Sequence, residues 1–176
     1  QDGKKHKASG NASYCNGEFV YRPDLTRYAY RDGIVSQSDN VAANDNSPRL
    51  RSRDGEPAWV VFGHFSPYVI CGDPVDDANP MSGKATDGLS VSGTTVGPVG
   101  IDCSVDQGQS WQRIGNVEGE FRKDLTESVK GRYGWQLRFL FPTRSGLDDL
   151  QFATTTQVCQ AIYPRLKANG SRVTYR

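Results

Sequence analysis

Strand-like runs recur along this chain at short intervals, each closed by Gly, Pro, Asn or Asp. The first, AWVVFGHFSPYVICG from Ala58, is dense in Val, Ile, Phe and Trp. Pro67 divides it into two short strands, because proline cannot donate to a sheet ladder. DPVDDANPMSGKATDG is turn material. LSVSGTTVGPVGIDCSVD alternates apolar with small polar residues, and its Gly and Pro breaks predict two strands. SWQRIGNV predicts another. GEFRKDLTESVKGRYGWQLRFLFP then predicts a short helix from Leu125 to Val129 and a strand from Trp135 to Phe141. The remaining residues predict two or three strands, ending in a hairpin closed at Asn169-Gly170, a favoured turn pair. Before Ala58 the character differs. YRPDLTRYAYRDG, Tyr21 to Gly33, forms one aromatic group, and SQSDNVAANDNSPRLRSRDGEP after it reads as loop. No long period of 3.6 appears and no repeat of about 20 to 50 residues, so the expectation is an all-β sandwich or jelly roll.

At 176 residues the chain has the length of one domain with one core. Residues 1–176 are read as that domain, with 1–13 as a flexible N-terminal tail. The 21 basic and 20 acidic side chains leave a net charge of +1, without the basic excess of a nucleic-acid binder. No apolar run approaches the ~18 residues of a membrane span. The polar opening, QDGKKHKASGNASYC, reads as that of a mature or excised product. A monomer is the simplest expectation, since no apolar helix face is left to pair.

Cys15, Cys71, Cys103 and Cys159 are widely spaced and include no CxxC pair, which argues against a thiolate zinc site. Two disulfides in an exported protein suit an even, dispersed set, and four buried thiols are the bland alternative. Three connectivities are possible. Cys71–Cys103 is favoured because both lie in strand-like runs, and Cys15–Cys159 because it ties the ends together.

SVDQGQSW, Ser104 to Trp111, is the most specific string in the chain. Its spacing suits a β-hairpin. Asp106 can accept backbone N–H groups across the turn, Gly108 can supply a positive φ, Ser104 and Ser110 can bond locally, and Trp111 can fold back as a cover. The string resembles the Asp box, the S-x-D-x-G-x-S/T-W motif of sialidases and other BNR-repeat proteins, at Ser104, Asp106, Gly108, Ser110 and Trp111. The resemblance implies a folding element rather than a catalytic acid at Asp106. It also implies a secreted or cell-surface protein that handles glycans. One copy in 176 residues cannot build a sialidase propeller. From Ser66 to Arg176 the order of segments resembles the β-sandwich accessory modules of large secreted bacterial polysaccharide-active proteins.

That resemblance makes a non-catalytic carbohydrate-binding module the leading expectation, with a polysaccharide as ligand. Sugar C–H faces stack on exposed aromatic rings, and hydroxyls take bonds from neighbouring polar groups. Tyr21, Tyr28, Tyr30, Arg31 and Trp59 have that composition. Trp135 opens an alternating strand and reads as core. Asp73, Asp76 and Asp77 share an oxygen-rich loop that could hold a structural Ca²⁺, as could the loop from Asp39 to Asn46, and either could equally be a solvated turn. An enzyme is the alternative, as a polysaccharide lyase or a glycosidase using carboxylates such as Glu118, Glu120, Asp124 and Glu127. His64 is the histidine a serine triad would need, and no G-x-S-x-G elbow accompanies it. An architectural or protein-interaction sandwich is the third class.

Overall fold

The computed structural model describes residues 6–7, 13–74 and 85–159. Its first elements are β1 (His6–Lys7), β2 (Ser13–Tyr21), a 3-10 turn (Ala29–Gly33), β3 (Ile34–Gln37), β4 (Val41–Ala43), β5 (Leu50–Ser52) and β6 (Ala58–Phe65). Then follow β7 (Val69–Ile70), β8 (Asp73–Pro74), β9 (Ala85–Thr86), β10 (Leu89–Ser104) and β11 (Gln112–Asp124). The described residues end with α1 (Thr126–Val129), β12 (Gly134–Phe141) and β13 (Gly146–Cys159).

Among the described residues all the strand pairings are antiparallel, and two layers share one long hairpin, β10–β11. The first half of β10 runs between β11 and β13, and β2 lines the far edge of β13. The second half of β10 runs between β11 and β12, followed by β6 and β3. The protein is therefore all-β, sandwich-like and nearly closed.

Where the sequence predicts two strands, β10 is one strand of 16 residues. Its ladder to β11 shifts register between Thr95 and Val99. Gly97, at φ 68°, sits in that irregularity, and Pro98 there has no ladder bond to break. The strand bends instead of ending, which lets one hairpin serve both layers. The run after Gly33 is not all loop: Val41 and Leu50 are buried and anchor the small β4–β5 hairpin. A short local pattern with one apolar anchor per strand is easily read as loop. Two residues of the expected tail, His6 and Lys7, pair with Tyr14 and Ser13. The expected hairpin at Asn169-Gly170 lies outside the described residues.

Strict alternation decides what each strand buries. In β12, Trp135, Leu137, Phe139 and Phe141 face inward, and Gly134, Gln136, Arg138 and Leu140 face out. Phe152 of β13 crosses the core to meet Phe62, Phe139 and Trp135, with ring centroids 5.5, 6.2 and 5.0 Å away. Truncating such a ring to alanine costs about 3–5 kcal/mol. Trp135 also donates its Nε1–H to Thr154 Oγ1 at 3.1 Å, so the indole is buried without an orphaned donor. His64 is treated less well. It lies between Phe19 (5.3 Å) and Trp135 (6.1 Å), and its buried Nε2 has no hydrogen-bond partner among the described residues.

Candidate functional site

The hairpin tip between β10 and β11 is closed by side chains rather than by a ladder. Ser110 donates its amide and its hydroxyl to the two Asp106 carboxylate oxygens, at 2.9 and 2.5 Å. Ser104 Oγ donates to Asp106 Oδ1 at 2.7 Å and accepts the Gly108 amide at 2.9 Å. Gln107 and Gly108 have φ of 61° and 84°, consecutive positive values of the kind that type I′ turns use. The Ser110 hydrogen bonds, with help from Ser104, hold the Asp106 carboxyl down at about 2. It is an ionised turn anchor at neutral pH, not a proton donor.

Beyond the tip, the outer face of β10–β12 carries a stack of charges. Asp102 accepts Arg113 at 3.0 Å on one oxygen and Arg138 at 3.1 and 2.8 Å on the other. Arg138 in turn lies over the Trp111 ring, 4.3 Å from its centroid. The indole thereby couples the hairpin tip to the centre of the neighbouring strand.

Beside this stack runs a groove of about 730 Å³. The tip forms one wall through Ser104, Val105 and Gln107. Val35 and Phe65 rise from β3 and β6, and the turn of Gly131, Arg132 and Tyr133 stands before β12. Glycines let the groove's walls approach closely: a Cβ on Gly63 would lie 2.7 Å from Val35 Cγ2, and one on Gly134 would lie 2.6 Å from the His64 carbonyl oxygen. Three exposed large apolar side chains gather on this lining: Phe65 is 76% exposed, and Val35 and Tyr133 are each 54% exposed. Gln107, Gln136 and Arg132 supply the polar groups. Among the described residues, the lining includes no Asp or Glu.

The aromatic residues singled out from sequence do not form one site. Tyr30 is 1% exposed and donates its hydroxyl to Gln37, so it is a core residue and not a stacking platform. Its position in the 3-10 turn points it inward with Leu25, a local turn that no strand alternation would disclose. Tyr21 lies nearly parallel to Phe152 at 6.1 Å, with its hydroxyl against Gly33, and burial pushes its hydroxyl pKa up. Tyr28 is 71% exposed, with the Arg31 guanidinium 4.7 Å from its ring centroid. Trp59 is half-buried on β6, six residues before Phe65 and so roughly 20 Å from it along the strand. None of these five lines the groove.

The favoured disulfide pairing also needs correction. Cys103 is a buried free thiol in β10, pushed up to about 11 by burial, and it is not bridged to Cys71. Cys71 instead lies just after β7, its amide donating to the Thr155 carbonyl at 3.0 Å. Strand character in both runs does not bring two positions together. For Cys15 and Cys159 the backbone places the residues on adjacent strands, where Cys15 pairs with Val158 and Cys159 with Tyr14. Of the expected calcium loop, Asp73 starts the two-residue strand β8, while Asp76 and Asp77 lie outside the described residues. In the other loop, Asp45 pairs with Arg27, and Asn44 accepts the Asn46 amide. Among the described residues, no group of three or more His, Cys, Asp or Glu could hold a metal ion. Among the described residues, no helix is long and apolar enough to cross a membrane.

Sequence reasoning missed Phe65, Tyr133, Gln107 and Gln136. A signal existed for two of them. Tyr133 sits between Gly131 and Gly134, where a large ring has no strand to bury it. Phe65 falls in alternating phase with half-buried Trp59 and Gly63 of β6. Comparison with protein-family models, curated proteins and solved structures returns no match for the chain.

Proposed function

We propose that this chain is a non-catalytic saccharide-binding β-sandwich whose ligand lies in the groove between the hairpin tip and the Gly131–Tyr133 turn. The observation that carries this reading is the composition of the lining. Exposed Phe65 and Tyr133 offer flat apolar faces, and Gln107, Gln136 and Arg132 offer hydrogen bonds beside them. Sugars present this same alternation of C–H faces and hydroxyls. The resemblance of the tip to an Asp box supports the reading, because that motif occurs mainly in secreted glycan-handling proteins. Asp106 is spent on the turn, and among the described residues the lining holds no pair of carboxylates to serve as glycosidase acid and base.

The test is a glycan array together with depletion on insoluble polysaccharides, assayed in parallel for released reducing ends and unsaturated uronates. Retention without product is expected. Phe65→Ala and Tyr133→Ala should each lose retention with little change in thermal midpoint, and Tyr28→Ala should keep it. Product release would make the chain an enzyme. Retention unchanged in both groove variants would remove the site.

A further inference from the structure

We infer that the groove selects an acidic glycan, with Arg132 holding the carboxylate or sulfate of a sugar seated against Tyr133; this rests on the saccharide reading above.

The main chain fixes where Arg132 stands. Its amide donates to the Val129 carbonyl at 3.1 Å, and its own carbonyl accepts the Ile70 amide at 2.7 Å. The next residue is fixed in the same way, since the Tyr133 carbonyl accepts the Ser66 amide at 2.9 Å. Consecutive residues Arg132 and Tyr133 thus line the groove from a turn held by main-chain hydrogen bonds.

The side chain of Arg132 is uncommitted. Arg27, Arg113, Arg122 and Arg138 each pair with an aspartate, and neighbouring Lys130 is held by Glu127 at 2.7 Å. Among the described residues, no carboxylate lies within ion-pairing distance of Arg132. Among the described residues, the groove therefore carries a guanidinium and no acid to neutralise it. Its walls are largely apolar, and low-dielectric walls strengthen the attraction for an anion. The planar fork of Arg matches a carboxylate or sulfate with two parallel hydrogen bonds. A neutral sugar would leave that fork unmatched.

Neutral oligomers of glucose, mannose and galactose, each matched with its C6-oxidised uronate and a sulfated form, are titrated into the full chain and its Arg132→Gln and Arg132→Lys variants. At least one acidic oligomer should bind about tenfold more tightly than its neutral match, the ratio one charge-assisted contact supplies. Raised salt should shrink that margin. Arg132→Gln should abolish the preference, weakening acidic oligomers far more than their neutral matches, and Arg132→Lys should restore only part of it. Equal affinity within every matched set, or a preference that survives Arg132→Gln, overturns the inference and leaves the saccharide reading standing. Full competition by inorganic sulfate alone overturns it too, because the site would then read the anion and not the sugar. Binding to no oligomer of any series contradicts both.

Discussion

The Trp111 indole lies beneath the Arg138 guanidinium, 4.3 Å from Cζ to ring centroid, while the same guanidinium grips Asp102 from its other side. One residue belongs to the hairpin tip and the other to the centre of β12. The pair ties the tip to the sheet and sets one flank of the groove's surroundings. A cation–π contact at a partly exposed site is worth about 0.5–1 kcal/mol. Trp111→Ala should destabilise the fold by about 1–2 kcal/mol once lost packing is included. A double-mutant cycle with Arg138→Ala, followed by urea denaturation, should show coupling. Strict additivity would mean that the stacking contributes nothing.

Asp106 makes a pH-dependent contribution of known sign. Its folded value of about 2 lies below the ordinary 3.8, so the unfolded chain binds the proton more readily. The stabilisation is complete above the ordinary value and disappears as pH falls toward the folded one. The stability difference between the wild type and Asp106→Asn should therefore narrow on acidification through that window, and chemical denaturation across acidic buffers reads it. A difference that stays constant there would mean that the carboxylate does not anchor the turn.

His64 acts nearer neutrality. Burial lowers its pKa from 6.5, because the ring is partly desolvated where it packs against Phe19 and Trp135. The neutral form suits the fold, so stability is full above 6.5 and declines as pH drops below that value toward the folded one. His64→Gln should flatten the thermal midpoint between neutral and mildly acidic buffer. A wild-type midpoint that does not fall over that interval would contradict the burial of Nε2.

What the sequence disclosed and what it hid follow from the range of the interactions. Alternation is local, so β6, β12 and the burial of Trp135 were legible from their own residues. The hydrogen bonding at the tip was legible too, because Ser104, Asp106 and Ser110 find each other within one turn. The groove was not. It joins Val35, Phe65, Val105 and Tyr133 from four separate segments, and only register between strands brings them together. Tyr28 and Tyr30 show the opposite error: neighbours of identical chemistry, one exposed and one buried by a 3-10 turn. Pro98 misled in a third way, since a bulge absorbed it where a strand end was expected.

Cys103 should be chemically silent. Its thiol is buried and pushed up to about 11, so almost no thiolate exists near neutral pH. Alkylation of the native protein, followed by peptide mass mapping, should leave Cys103 unmodified until denaturant is added. It should also yield no Cys71–Cys103 linked peptide under non-reducing digestion. Recovery of that linked peptide would overturn the arrangement of β10 against β7.

The proposed saccharide site is the groove beside the hairpin tip. Backbone amide shifts of the labelled protein, followed during titration with the tightest-binding oligosaccharide from the array, test it most directly. Shifts should cluster at Gly63 to Phe65, Val105 to Gly108 and Gly131 to Gln136, with Tyr28 and Arg31 unmoved. Shifts centred on Tyr28 and Arg31, or a saturating ligand that moves none of the groove amides, would contradict it.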